Sequence, residues 1–218
     1  MEFLQGFVEF VVRRADRVAG AAFEHAFGTL TAALLAAALG IALGVASYRH
    51  DRLRRLTLNT TAWIMTIPSY ALFVMVIGFL GTVFWAAVVG LVMYALLAIV
   101  RNTVTGLREV DPAIVESARG MGMTTRQVLW RIQLPLAWPV ILAGLRVSTQ
   151  ITIGILAVAA VVGDFGFGKF IFEGLARIGG ANDLNLALTG TLGIIVLAIL
   201  FDAGYALLSR YTTPRGIR

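Results

Sequence analysis

Five stretches of this sequence are long and apolar enough to cross a lipid bilayer, and no other feature constrains the fold so strongly. A helix through the hydrocarbon core needs ~20 mostly apolar residues. The stretches are 27–47, 57–80, 82–100, 136–162 and 185–208. Between Phe27 and Ser47 the chain runs through Ala, Leu, Gly, Ile and Val without one charged residue. Of the 218 residues, 59% are hydrophobic and 14% charged, against about 45–50% and about 25% in an ordinary soluble domain. That much apolar surface cannot be hidden in one soluble core. The composition excludes a disordered chain and almost any soluble enzyme. The absence of Cys excludes a disulfide scaffold and a thiolate zinc site. Pro68, near the middle of the second stretch, kinks or breaks it. Gly81-Thr82 makes a tight hairpin into the third. Residues 1–20 carry Glu2, Glu9, Arg13, Arg14, Asp16 and Arg17, which fits an amphipathic segment lying on the membrane and not a cleavable signal peptide.

Arginine placement sets the expected orientation. Lys169 is the only lysine, so nearly all positive charge is arginine. The gap after the first stretch holds Arg49, Arg52, Arg54 and Arg55. The gap after the third holds Arg101, Arg108, Arg119, Arg126 and Arg131, and the end of the chain adds Arg210, Arg215 and Arg218. These share one side of the bilayer and outnumber the other side twelve to five. Loops rich in Lys and Arg stay in the cytoplasm. The N-terminus is therefore expected outside and the C-terminus inside. The pI near 10.5 reflects this asymmetry and not a nucleic-acid-binding face.

The longest polar stretch, 101–135, lies on the arginine-rich side. Asp111 followed by Pro112 is a helix start, with a capping carboxylate and a proline at the first helical position. Ala113 to Arg119 reads as helix, Gly120 and Gly122 break it, and Thr124 caps a second short helix that ends at Leu134-Pro135. Two short helices joined by a glycine turn form a knob that another protein can grip. Glu116-Ser117-Ala118, three residues, Gly122, nine residues, then Ile132-Gln133-Leu134-Pro135 resembles the coupling loop of ABC importer permeases, E-A-A-x3-G-x9-I-x-L-P. Ser117 stands where Ala is usual, a small-for-small exchange. Thr66-Ile67-Pro68-Ser69, Arg101-Asn102-Thr103, Val110-Asp111-Pro112-Ala113, Ala143-Gly144-Leu145-Arg146 and Gly163-Asp164-Phe165-Gly166-Phe167-Gly168 are similar to the osmoprotectant branch, whose cargoes are glycine betaine, choline and carnitine.

That resemblance spans about residues 25–210 and implies an all-α membrane protein with the five-span core of a type I importer permease. The implied organisation is an external interfacial segment (1–20), a transmembrane permease domain (21–210) and a cytoplasmic tail (211–218). It implies no catalytic residue or cofactor in this chain, since ATP and Mg belong to a partner ATP-binding subunit. Further implied partners are a second permease, identical or sister, an extracellular substrate-binding protein and the lipid bilayer; no nucleic acid and no metal are expected. The resemblance gives Asp111, Pro112, Glu116, Ser117, Ala118, Gly120, Gly122, Ile132, Leu134 and Pro135 to the coupling loop, with Glu116 ordering it or touching the partner. The same fold importing methionine, another amino acid or a thiol-betaine is the nearest alternative.

Polar residues inside the spans are candidates for the translocation path: Asn59, Thr60, Pro68, Ser69, Tyr70, Ser148, Thr149, Gln150 and Thr152. Polar groups are disfavoured against lipid, so such clusters face water or a neighbouring helix. Arg146 and Asp202 are charges at membrane depth. Counted at ~1.5 Å per residue, Arg146 lies ~16 Å past Pro135 and Asp202 ~12 Å before Arg210, so the two are expected to pair within one subunit. Gly40 and Gly44 make a G-x-x-x-G spacing suited to close helix packing. Gly163 to Lys169 approximates a phosphate-binding loop, but Phe170 replaces the Ser or Thr that ligates magnesium. It reads instead as a glycine turn leading into an amphipathic helix at 169–178. A membrane-embedded enzyme is disfavoured, since no nucleophile with its base sits at membrane depth.

Overall fold

The computed structural model describes residues 1–213. Residues 214–218, with Arg215 and Arg218 of the expected tail, lie outside them. The regular elements among the described residues are helices: α1 (Glu2–Val12), α2 (Ala15–Ser47), α3 (Asp51–Ile64), α4 (Ser69–Leu80), α5 (Val83–Arg108), α6 (Pro112–Gly120), α7 (Thr125–Val128), a π turn (Leu129–Gln133), α8 (Leu134–Ala159), α9 (Gly168–Ala176) and α10 (Asp183–Thr212). Four continuous helices can each cross a membrane by length and composition: Ala15–Ser47, Val83–Arg108, Thr125–Ala159 and Asp183–Thr212. The pair α3 and α4 meets the same test only when taken together, as a broken span or a re-entrant loop.

Local chemistry explains the breaks. Pro68 has no N–H and keeps the residue before it out of the α region. Helix α3 therefore ends before it, where Thr66 turns both its amide (3.0 Å) and its hydroxyl (2.7 Å) onto the Trp63 carbonyl. Gly81, at φ +69, ends α4 in the left-handed conformation that residues with a Cβ avoid. Several expected bounds move. Helix α2 starts at Ala15, inside the segment expected to lie on the membrane. Helix α5 continues to Arg108, so 101–108 of the expected loop is helical. Helix α8 stops at Ala159, before residue 162.

The chain divides into two compact units, each fed by portions of the long helices. The first comprises Met1–Ala32, Ile67–Val92 and Gln150–Phe201. Its apolar core gathers Ala32, Phe73, Ala87, Val88, Leu91, Leu156 and Ala159. A second cluster joins Phe10 of α1 to Ala21, Phe167, Phe170 and Leu186. The amphipathic α1 thus buries one aromatic and leaves Leu4, Val8 and Val12 exposed.

The second unit comprises Ala33–Thr66, Met93–Thr149 and the chain from Asp202 on. Small residues set its helix spacing. A Cβ built on Gly40 would stand 2.7 Å from Ile99 of α5, one on Gly44 2.6 Å from Thr103, and one on Gly144 2.6 Å from Asn102. The G-x-x-x-G pair therefore seats α2 against α5 within the chain. Lipid tails solvate leucine as well as another leucine does, so close approach, and not apolar burial, holds such helices together. Gly44→Leu should wedge α2 from α5 at a cost of about 1–3 kcal/mol, read as lowered thermal unfolding in detergent. Gly154→Ala, which meets open space, should leave unfolding unchanged.

Candidate functional site

The candidate coupling loop folds as an elbow whose backbone groups are almost fully spent locally. At its entrance the Asp111 carboxylate accepts the Ala113 amide at 2.8 Å, with Pro112 at the first helical position. At the far end of α6 the Met123 amide reaches back to the Ala118 carbonyl (3.2 Å) and the Gly122 amide to Arg119 (2.9 Å). This is the Schellman pairing, and it needs the left-handed residue that Gly122 supplies at φ +82. Gly120 does not break the helix as expected; it is the last residue of α6, and the turn falls wholly on Gly122.

Thr124 and Gln127 then form a reciprocal capping box, the Thr124 amide donating to Gln127 (2.8 Å) and the Gln127 amide to the Thr124 hydroxyl (3.3 Å). The second arm does not end at Leu134-Pro135. It passes through the π turn, where the Leu134 amide bonds to Leu129, and continues as α8. A wider turn tolerates the bond that Pro135 cannot donate. The second arm of the elbow is therefore the head of a 35-residue helix and not a separate loop piece.

Ala118 of α6 and Val128 of α7 are buried, while Met121 at the tip is 77% exposed. Asp111, Pro112, Glu116, Ser117 and Gly120 are exposed, Ile132 and Leu134 half-buried, and Pro135 exposed. Glu116 lines a cleft of about 400 Å3 with Tyr48, Arg49, Arg108, Arg119 and Gln133. Sequence reasoning missed the anchor of this cleft. Gln133, 7% exposed, accepts from the Tyr48 hydroxyl at 3.0 Å and from Arg49 at 3.2 Å, while Arg49 also donates to the Tyr48 hydroxyl. A glutamine between two apolar motif positions was the available signal.

The candidate path residues separate into two groups. Ser148 and Thr149 are buried and give their hydroxyls to the Leu145 carbonyl at 2.8 and 3.0 Å. Thr149 also meets the Tyr205 hydroxyl at 2.8 Å. Gln150 donates to the Ala198 carbonyl at 3.2 Å, and Thr152 is fully buried. Of these four, Thr149 and Gln150 bond across to α10, and Ser148 bonds back within α8. Asn59 and Thr60 on α3, and Pro68 and Tyr70 at the start of α4, are exposed, with Ser69 half-buried.

Arg146 and Asp202 form a two-pronged ion pair, Nε and Nη2 each lying 2.5 Å from a carboxylate oxygen. Both remain partly exposed. A lone charge at membrane depth is disfavoured, whereas a bidentate pair satisfies both groups. Arg146→Met and Asp202→Leu should each lower the unfolding temperature, and the double variant should recover part of the loss in a double-mutant cycle.

The description "Binding-protein-dependent transport system inner membrane component" fits residues 36–213. The chain is 32% identical to the carnitine transport permease protein OpuCB of Listeria monocytogenes, over 99% of this chain and 97% of that one. It is 35% identical to the osmoprotectant import permease protein OsmW of Salmonella typhimurium, covering 97% and 99%. It is 33% identical to the choline transport system permease protein OpuBB of Bacillus subtilis, covering 97% and 95%. Its fold matches that of a chain in the inward-facing MetNI methionine ABC transporter with a TM-score of 0.78 at 23% identity, covering 89% of this chain and 95% of that one. A chain of an amino acid ABC transporter with histidines gives a TM-score of 0.65 at 16% identity, covering 93% and 94%. With the family matched over most of its length and a fold shared with ABC importer permeases, this chain belongs to the inner membrane components of binding-protein-dependent transport systems.

Proposed function

We propose that the chain is a permease subunit of an ATP-driven importer for quaternary-amine osmoprotectants of the glycine betaine, choline and carnitine type. The observation that carries the coupling role is the elbow: a rigidly capped knob, apolar at its tip, built as the head of a long apolar helix. A partner that grips Met121 and the arms of α6 and α7 can tilt α8 without needing nucleotide chemistry in this chain. The partner is an ATP-binding subunit that holds the ATP and Mg, and its closure biases two packings of the permease, as coupling between sites requires. The relatives' carnitine, osmoprotectant and choline cargoes support the solute class.

The permease works as a dimer and receives solute from an external binding protein. Its path residues are the exposed Asn59 and Thr60 in the second unit and, separately, half-buried Ser69 and exposed Tyr70 in the first. Arginine asymmetry supports an external N-terminus and a cytoplasmic elbow. The chain has no Cys, so Met121→Cys is a clean reporter. It should be labelled by a membrane-impermeant thiol reagent in inside-out vesicles and not in intact cells, and the reverse pattern rejects the orientation.

Gly122→Val forces a β-branched residue into the left-handed region at about 1–3 kcal/mol, which opens the elbow. Uptake of radiolabelled glycine betaine or choline should fall about tenfold or more, the equivalent of 1.4 kcal/mol, with the permease still in the membrane. Normal uptake by that variant defeats the coupling role. Transport of methionine and not of a quaternary amine by the intact complex defeats the solute class alone.

A further inference from the structure

In the first unit, two adjacent residues of α2 hold two adjacent backbone amides of the turn before α9. The Glu24 carboxylate accepts the Gly166 amide at 2.8 Å and the Lys169 ammonium at 3.0 Å. The His25 ring accepts the Phe167 amide on Nδ1 at 3.2 Å. Its Nε2 lies 3.0 Å from the Ile153 carbonyl of α8, which can only accept, so the ring proton sits on Nε2. His25 is fully buried. The bond from the Phe167 amide needs Nδ1 without a proton, and the bond to Ile153 needs one on Nε2, so the two together select this neutral tautomer.

The turn is shaped to this grip. Gly166 is left-handed at φ +67, and a Cβ there would stand 2.9 Å from His25 Nδ1. A Cβ on Gly168 would stand 2.2 Å from the Ala157 carbonyl of α8. Phe167 packs beside the His25 ring, with centroids 6.0 Å apart, and its own ring fills the space over Gly193 of α10. The turn is thus pinned to α2, α8 and α10, and α9 follows directly from it.

We propose that Glu24 and His25 are positioning residues that clamp α9, and that a proton on His25 Nδ1 opens the clamp. Protonation sets N–H against N–H at Phe167 and removes that bond. The charged groups on the elements around the ring are few. Glu24 and Lys169 are paired with each other, Asp164 in the turn is exposed, and residues 150–159 of α8 carry no charge. A buried imidazolium would therefore find no carboxylate that is not already engaged. Four residues on from Lys169 and so on the same face of α9, Glu173 is bonded to Arg17 of α2, whose guanidinium holds that carboxyl below the usual carboxylate range. That second tie therefore stays charged where a histidine titrates. The clamp is independent of the coupling reading.

The test is amide exchange of the full chain in lipid nanodiscs, read by mass spectrometry over peptides spanning 163–176 and corrected for intrinsic rate. Between about pH 8 and pH 5, where histidine changes charge, wild-type protection should fall about tenfold or more along a one-proton curve. His25→Asn keeps an acceptor for the Phe167 amide that does not titrate, so its protection should stay flat. Glu24→Gln keeps an acceptor for Gly166 and should still titrate. His25→Phe should be unprotected at both ends of the range; should it fail to fold, His25→Asn carries the test. Flat wild-type protection, or a His25→Asn curve like the wild type, overturns the clamp.

Discussion

Lipid offers no hydrogen bonds to a bare amide and no gain for burying one leucine against another, and both facts govern this chain. The first forces every backbone group in the spans into a helix or onto a side chain. The second leaves helix association to contact distance, which is why Gly40, Gly44 and Gly144 face Ile99, Thr103 and Asn102 at spacings that admit no Cβ. The polar side chains in the same helices follow from the first constraint. Ser148 and Thr149 bond back to Leu145, Gln150 reaches Ala198, and Arg146 and Asp202 neutralise each other. Each removes a polar group from lipid, so polarity inside a span is not by itself evidence of a solute path.

Where helices stop, the chain uses a small set of devices. The elbow is closed by an aspartate cap, a left-handed glycine and a capping box in succession. Three local motifs in so short a stretch make the knob stiff, as the proposed coupling requires. The π turn at Leu129–Gln133 joins the two, and the bonds from Tyr48 and Arg49 to Gln133 tie that junction to the end of α2. The turn before α9 is the opposite design. Its amides are held by side chains of a neighbouring helix, one of them a histidine, so its closure depends on charge.

The apolar runs, the arginine asymmetry and the spacing from Glu116 to Pro135 are local properties, so the bare sequence shows a helical membrane protein and carries the resemblance that points to an importer permease with a candidate coupling loop. Helix ends were less legible. Pro68 and Gly122 announce their breaks because each has one dominant backbone effect. Gly120 is the last residue of a helix and does not itself turn the chain, and Leu134-Pro135, which looks like a stop, is bridged by a wider turn. Proline ends a helix only when its missing bond has no alternative, and the π turn supplied one.

Long-range pairing was the part hidden in the bare chain. Arg146 and Asp202 could be matched because each is a rare charge at a countable depth, 56 positions apart. Glu24 and His25 could not be matched to Gly166 and Phe167, since backbone amides carry no signature in a sequence. Gln133 and Tyr48 have the same difficulty, being common polar residues 85 positions apart. Residue type and spacing fix what a segment can do on its own; which groups satisfy one another across distant helices is settled only when packing brings them within hydrogen-bonding distance.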